Sequence, residues 1–160
     1  MDIKNLKTKA AKVEAATKKL FLKLKKLKPG NLDDTFHTLH EEAFEHIDCL
    51  SCANCCKTTS PIFKDRDIER LAKYFKISQA LFIEKYLKID EDKDYVLKSA
   101  PCTFLGADNY CLIYDNRPTA CREYPHTDRK RMYQLLDLTA KNAAICPAVF
   151  EITEKLKKVY

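Results

Sequence analysis

The chain has 160 residues, of which 46% are hydrophobic and 32% are charged, and its formal net charge at pH 7 is +6. We expect a soluble globular protein that forms one domain, over residues 1–160, around one core. No stretch approaches the roughly 20 consecutive apolar residues of a membrane-spanning helix. Lysines interrupt every apolar run in the first thirty residues, so we expect no signal peptide and a cytoplasmic location.

Eight cysteines are the unusual part of this composition. Thiols stay reduced in the cytosol, where many cysteines in one chain are typical of metal ligands. The alternative is a secreted protein held by disulfides, but such a protein usually carries a leader and lacks a sizeable core. The sequence therefore favours metal binding over disulfides.

Residues 1–28 predict a basic amphipathic N-terminal helix. Its ten lysines against Asp2 and Glu14 give a charge of +8, so the rest of the chain carries −2. Apolar residues recur at steps of three and four from residue 2 to 28, and Pro29-Gly30 should end the helix. The predicted buried stripe is Ile3, Leu6, Ala10, Val13, Ala16, Leu20, Leu24 and Leu27.

The lysine face of this helix has three interpretations. The simplest is a solvated surface on a helix that docks onto the domain. The alternatives are contact with nucleic acid phosphates and contact with a membrane surface or an acidic partner. Lysine without interleaved arginine gives nucleic acid only weak support.

A second helix is predicted from Leu32 to about Ile47. Asn31 is a candidate N-cap, and Asp33 and Asp34 fall in the first turn, where acidic groups are favourable. The predicted buried stripe is Leu32, Phe36, Leu39, Ala43 and Ile47.

Three histidines on the second helix are further candidate ligands: His37, His40 and His46. His46 is the best placed because Cys49 follows three residues later. Eight thiols already suffice for two tetrahedral sites, so cysteine remains the favoured ligand.

Four cysteines follow this helix within the eight residues CLSCANCC, which end at Cys56. The two-residue gaps between the first three let neighbouring sulfurs turn back onto one ion. Adjacent side chains of an extended backbone point to opposite sides, so Cys55 and Cys56 need not serve the same ion. The predicted ligands of two four-sulfur sites are Cys49, Cys52, Cys55, Cys56, Cys102, Cys111, Cys121 and Cys146.

Two short helices are then predicted as core-packing elements without chemistry, with their acidic residues in solvent. The first begins at Asp65 or Asp67, and the second is capped by Ser78. Residues 90–94 predict an acidic loop, and residues 95–98 predict a short strand. The predicted inward residues of the two helices are Ile68, Leu71, Ala72 and Phe75, then Leu81, Phe82, Tyr86 and Leu87.

Residues 101–114 predict a hairpin-like knuckle with one cysteine on each of two extended arms, joined by residues 106–109. Residues 116–118 open a helical turn that holds Cys121 and Arg122. Residues 133–138 predict another strand. Pro147 begins a C-terminal helix over residues 147–160, with the stripe Val149, Ile152, Leu156 and Val159.

These elements predict a mainly α protein, an irregular helical domain held together by metal, with a few short strands or hairpin-like knuckles.

The stretches CLSCANCC and PCTFLGADNYCLIYDNRPTACREYP resemble the YkgJ-type cysteine-cluster family, which is named for the signature CxxCxxCC. That family's downstream blocks are matched by Cys102 with Phe104-Leu105, Cys111 with Ile113-Tyr114, Arg117-Pro118 and Cys121-Arg122.

The resemblance covers roughly residues 46–147, a predicted cysteine core. It implies chelation of zinc or iron, and some relatives are linked to methylation of flagellin lysines. The chain departs from the family at Ala53-Asn54, where glycine often precedes the third cysteine. We expect Asn54 to tolerate the left-handed backbone of that turn.

Charge favours two occupied metal sites, because crowded thiolates repel one another and stay protonated without metal. Arg117 and Arg122 are placed beside Cys121 to moderate the charge left on an all-thiolate site, although an ordinary surface pair is an equal alternative. Two all-thiolate zinc sites would be closed and structural.

An iron–sulfur cluster is the alternative to zinc. The run from Cys49 through Cys52 to Cys55 repeats the first three ligands of a bacterial ferredoxin, and Cys146-Pro147 supplies the remote fourth, although Cys56 breaks the spacing. The sequence does not divide the eight sulfurs between two sites.

Three functions therefore stay open. The first is a metal-binding protein with cysteine-rich zinc or iron sites. The second is an iron–sulfur or iron-dependent enzyme that modifies another protein. This function needs a metal site that keeps an exchangeable ligand position. The third is a basic interaction module for nucleic acid or an acidic partner. The aromatic residues near the cysteines favour packing that shields metal over a pocket; they are Tyr110, Tyr114 and Tyr124, with His126.

Overall fold

The computed structural model describes residues 3–160 and confirms a mainly α fold. Residues 1 and 2 of the predicted N-terminal helix lie outside the described residues. In chain order the α-helices are α1 Leu6–Leu27, α2 Leu32–Phe44, α3 Cys49–Cys52, α4 Asn54–Thr58, α5 Asp65–Phe75, α6 Gln79–Tyr86, α7 Thr119–Glu123, α8 Leu136–Asn142 and α9 Pro147–Val159. Strands β1 Leu87–Ile89 and β2 Tyr95–Leu97 form an antiparallel pair.

The chain divides into two compact units. The helical unit contains the described residues up to Cys49 and the segment Pro125–Tyr160. The cysteine unit is Leu50–Tyr124. That the whole chain forms one domain stays a prediction.

Four helices build the core of the helical unit. α1 packs against α8 and α9, and α2 packs against α9. The predicted stripe of α2 is confirmed, since all five of its members are buried. The predicted inward residues Val149, Ile152 and Leu156 of α9 are fully buried, whereas Val159 at its end is 53% exposed.

The buried stripe of α1 contains four of the eight predicted residues, because Ile3 and Val13 are only half-buried and two further members are exposed. Ala16 and Leu27 are exposed, whereas Thr17 and Phe21 are buried. Thr17 is tolerated there because its hydroxyl donates to the Val13 carbonyl oxygen at 3.0 Å, which satisfies its polar group within the helix. The confirmed buried members are Leu6, Ala10, Leu20 and Leu24.

The predicted strand over residues 133–138 is wrong. A 3-10 turn, Met132–Gln134, leads into α8 instead. The turn begins where the Asp33 carboxylate accepts hydrogen bonds from the backbone N–H groups of Arg131, at 2.7 Å, and Met132, at 2.8 Å. Asn31 likewise does not cap α2 with its side chain, which accepts a hydrogen bond from the Tyr160 hydroxyl at 3.2 Å.

The cysteine unit has its own apolar cluster. Phe82, Leu71 and Ile68 are its most buried members, and Phe104 from the knuckle stacks on Phe82 with ring centroids 6.5 Å apart. Ser78 caps α6 as predicted, since its side chain accepts a hydrogen bond from the backbone of residue 81 at 3.2 Å. The predicted inward residue Leu81 is 45% exposed.

The interpretation of every acid on the two short helices as solvated is wrong for one residue. Asp67 is fully buried on α5.

No helix within residues 3–160 is long and apolar enough to cross a membrane.

Candidate metal centre

The CLSCANCC segment forms two consecutive helical turns, α3 and α4, separated by Ala53. Ala53 adopts the left-handed conformation, with φ 46° and ψ 19°. The expectation that Asn54 takes that conformation is therefore wrong: Asn54 begins α4. Alanine occupies a backbone position that glycine adopts without steric cost.

The predicted knuckle is confirmed. Its arms are joined by hydrogen bonds from the Gly106 N–H to the Tyr110 carbonyl oxygen, at 2.7 Å, and from the Leu112 N–H to the Phe104 carbonyl oxygen, at 2.8 Å. A Cβ on Gly106 would lie 2.6 Å from an Asp108 carboxylate oxygen and 3.2 Å from the Tyr110 carbonyl oxygen, so a larger residue there would displace the Asp108 side chain. Cys102 and Cys111, one on each arm, pack against the apolar cluster of the cysteine unit.

Two hydrogen bonds connect the knuckle to the CLSCANCC segment, one between backbone groups and one from a side chain. The Cys102 N–H donates to the Cys56 carbonyl oxygen at 2.7 Å. The Asn109 side-chain amide donates to the Ser51 carbonyl oxygen at 3.2 Å. Cys56 and Cys102, which are 46 residues apart in sequence, therefore lie on neighbouring backbone segments.

The third part of the site is α7, the predicted helical turn that carries Cys121. Pro118 precedes its first residue, Thr119, and Cys121 follows two residues later. The Cys121 N–H donates to the Pro118 carbonyl oxygen at 3.0 Å, which closes the turn around the cysteine.

Four thiols form an electrostatically coupled group, which we call the four-thiol group: Cys56, Cys102, Cys111 and Cys121. Charge on any one of them disfavours charge on each of the others. Burial raises the pKa of Cys102 and of Cys111, and the neighbouring thiols add to that rise. Burial, followed by the charges of the other three, raises the pKa of Cys121 to about 12.

Cys56 differs from the other members of the group. Its hydrogen bond with the Cys55 thiol, at an Sγ–Sγ distance of 3.9 Å, lowers the pKa of Cys56 to about 7. The positive charges of Arg117 and Lys57 act in the same direction against burial. Cys56 is therefore the thiol of the group that ionises first.

Arg117 supplies positive charge to the group, as predicted, and lowers the pKa of Cys56, Cys111 and Cys121. Its guanidinium stacks 3.5 Å from the ring centroid of Tyr114. Arg122 acts on the backbone instead, because its guanidinium donates to the carbonyl oxygens of Arg117 and Asp115, each at 3.0 Å.

The remaining predicted ligands are divided between the two units. Cys52 and Cys55 lie in the cysteine unit, whereas Cys49 and Cys146 belong to the helical unit, where Cys146 is 7% exposed. All eight cysteines are present as thiols. Within residues 3–160, no group of three or more His, Cys, Asp or Glu side chains has the spacing of a preformed metal site.

The three candidate histidines have partners in the helical unit. His46 Nε2 lies 2.9 Å from a Glu151 carboxylate oxygen, and His40 Nδ1 lies 2.8 Å from the Thr127 hydroxyl. His37 Nε2 lies 3.3 Å from the Arg129 carbonyl oxygen. Their assignment as ligands stays a prediction.

Two of the aromatic residues near the cysteines are exposed, and the prediction that these residues shield metal stays a prediction. Tyr110 is 56% exposed and Tyr114 is 43% exposed.

Three lysines of α1 have polar partners within the helical unit: Lys18 with Glu14, Lys25 with Asp137, and Lys23 with the Tyr160 carbonyl oxygen. Nucleic acid or acidic-partner binding by residues 1–28 stays a prediction.

A family model described as “CxxCxxCC: Putative zinc- or iron-chelating domain” matches residues 48–147. This range agrees within two residues with the stretch 46–147 in which the resemblance lies. No curated protein and no solved structure matches the chain.

Proposed function

Because the chain belongs to the CxxCxxCC family, we propose that it is a zinc- or iron-binding protein in which Cys56, Cys102, Cys111 and Cys121 together hold one ion. The observation that carries the proposal is the coupling of all four thiols, every pair of which is close enough for the charges to interact. Three separate segments, α4, the knuckle and α7, contribute these thiols.

The donor set fits such an ion. Thiolate sulfur is a preferred ligand of zinc and of iron–sulfur centres, and four sulfurs complete a tetrahedral site. A divalent cation supplies the opposing charge that four half-buried thiolates otherwise lack, and Arg117 offsets part of the remaining −2. Since the sulfurs are near one another without the spacing of a preformed site, ion binding is expected to draw the three segments together and stabilise them.

The ion would be structural if zinc occupies the site, because four thiolates leave no position for water. The prediction that all eight cysteines are ligands, divided between two ions, is retained beside this proposal. The four-thiol group is the part of that larger set whose members all interact electrostatically with one another, and it lies within the cysteine unit.

The test is the metal content of protein purified without oxygen, measured for the full-length chain and for serine variants. Wild type should contain zinc or iron, and Cys121→Ser should lose one equivalent. Cys111→Ser and the double variant Cys111→Ser/Cys121→Ser should each lose the same single equivalent, because both residues serve one ion. Thr103→Ala changes an exposed neighbour of Cys102 and should keep wild-type content.

Two outcomes contradict the proposal. One is wild-type protein that contains no zinc or iron and takes up neither. The other is a double variant that loses two equivalents, which would place Cys111 and Cys121 on different ions. The absorption spectrum of the same samples identifies the metal, since a zinc protein is colourless and an iron–sulfur protein absorbs in the visible range.

A further inference from the structure

Asp67 is a fully buried acid whose four hydrogen bonds join two separate segments of the cysteine unit. One carboxylate oxygen accepts from the Arg70 guanidinium at 2.7 Å, from the Thr119 N–H at 3.1 Å and from the Thr119 hydroxyl at 3.0 Å. The other oxygen accepts from the Lys64 N–H at 3.2 Å. Burial raises the pKa of Asp67, but these hydrogen bonds outweigh it and lower the pKa below its usual value.

Two of the four hydrogen bonds go to the first residue of α7, the helical turn that carries Cys121. A five-residue helix has too few hydrogen bonds to be stable alone, so its position depends on outside contacts. Asp67 supplies such a contact from α5, an eleven-residue helix whose apolar side packs in the cluster of the cysteine unit.

Arg70 extends the same connection to Arg117. Its guanidinium donates both to Asp67 and, at 2.8 Å, to the Arg117 carbonyl oxygen. The Arg122 guanidinium donates to that same carbonyl oxygen at 3.0 Å. Residues 117–119 are thus joined to α5 by three hydrogen bonds, two through their backbone and one through the Thr119 hydroxyl. This segment begins at the arginine that acts on the thiols and leads into the turn that carries Cys121.

We infer that Asp67 is a positioning residue of the metal centre, which holds the Cys121 turn and the Arg117 backbone so that the Cys121 thiol faces the other three. This inference rests on the proposed function of the four-thiol group. An acid that served only to begin α5 would be satisfied by Lys64 and Arg70, which belong to that helix or precede it. The additional bonds to Thr119 connect it to the ligand-bearing turn.

The experiment compares the dissociation constant for Zn²⁺ of full-length wild type and Asp67→Asn, by competition with a chromophoric chelator. Measurements are made at a temperature at which circular dichroism shows both proteins fully folded. Groups that orient metal ligands typically change affinity 10–100-fold when they are removed. We therefore expect Asp67→Asn to bind Zn²⁺ about 10–100-fold more weakly at unchanged stoichiometry.

Asp65→Asn is the matched control. Asp65 lies in the same first turn of α5, undergoes the same change of charge and shape, and is exposed. It should bind Zn²⁺ like wild type. Equal affinities of Asp67→Asn and wild type would overturn the inference, even if Asp67→Asn melts at a lower temperature, because a purely structural role lowers stability without altering affinity in the folded protein.

A second pair of variants decides the matter if Asp67→Asn does not fold. Thr119→Val removes only the hydroxyl donor to Asp67, and Thr119→Ser retains it. Weaker Zn²⁺ binding by Thr119→Val that Thr119→Ser restores supports the positioning role, and identical binding by the two contradicts it. Failure of the proposed function gives a different pattern, in which wild type binds no metal or Cys121→Ser keeps the full equivalent.

Discussion

The helical unit and the cysteine unit are stabilised by different physical means. Long helices form the helical unit, and their periodic stripes bury large apolar residues such as Leu24, Phe36 and Leu156 completely. The cysteine unit has an apolar cluster around α5 and α6, but α7 and the knuckle are short and carry thiols that repel one another once ionised. The proposed function implies that apolar burial suffices for the first unit, whereas the thiol-bearing part of the second gains further stability from the bound ion.

Removal of metal with a chelator should separate the two units most strongly. Amide hydrogen exchange in α4, the knuckle and α7 should accelerate greatly, whereas α1, α2 and α9 keep their protection. Structural zinc contributes up to about 10–16 kcal/mol in zinc-finger peptides at pH 7, which sets the upper limit for this effect. Equal loss of protection in both units would contradict the claim that metal stabilises only the thiol-bearing part of the cysteine unit.

The affinity for metal should depend steeply on pH, because metal displaces protons from the thiols. At pH 7 the raised pKa values keep Cys102, Cys111 and Cys121 protonated in the metal-free protein, whereas Cys56, with a pKa of about 7, is half ionised. Binding should release between about three and four protons, so affinity falls by about three to four decades per pH unit as the pH is lowered.

Calorimetry in buffers with different ionisation enthalpies measures this proton release. Cys56→Ser should reduce the number by about half a proton, and Cys121→Ser by about one, if either variant still binds. Release of one proton or fewer from wild type would show that the group does not bind the ion as four initially protonated thiols.

A large-to-small substitution in the helical unit should lower stability without changing metal content. Leu24→Ala removes a fully buried side chain, which typically costs about 2–5 kcal/mol. Leu22→Ala on the same helix changes a side chain that is 67% exposed and should stay within about 0.5 kcal/mol of wild type. Thermal melts and metal analysis of both variants test the expectation, and a loss of metal from folded Leu24→Ala would contradict the independence of the two means of stabilisation.

Glycine substitutions should have opposite effects in the two units. The left-handed backbone of Ala53 destabilises the folded state by about 1–2 kcal/mol, and Ala53→Gly removes this strain. Glycine also raises the conformational entropy of the unfolded chain, which lowers the free energy of unfolding by about 0.4–1 kcal/mol. We therefore expect a net increase in the free energy of unfolding of between about 0 and 1.6 kcal/mol. Ala15→Gly on an exposed face of α1 should instead cost about 0.5–1 kcal/mol. Chemical denaturation measures both, and destabilisation by Ala53→Gly would contradict the assigned backbone strain.

The elements that the sequence predicts well are those whose signal is local. The stripe of α2 follows the helical period, the Ser78 cap lies directly before its helix, and the knuckle is bounded by turn residues around Gly106. The strand predicted over residues 133–138 is wrong because the turn there is set by Asp33, about one hundred residues earlier in the chain.

The same distinction applies to the metal centre. Spacing identifies the cysteines, but it cannot group them, because the pairing of Cys102 with Cys56 depends on a hydrogen bond between backbone segments 46 residues apart. The sequence does not identify Asp67 as part of the site for the same reason, since its partner Thr119 lies 52 residues away. Its place three residues after Lys64, in a capping box, indicates only a local role.

The most direct test of the central claim is a correlation spectrum between ¹¹³Cd and the cysteine β-protons of cadmium-substituted protein. The account predicts one cadmium resonance that couples to the β-protons of Cys56, Cys102, Cys111 and Cys121. Coupling of these four residues to different cadmium ions, or the absence of coupling to them, would contradict it.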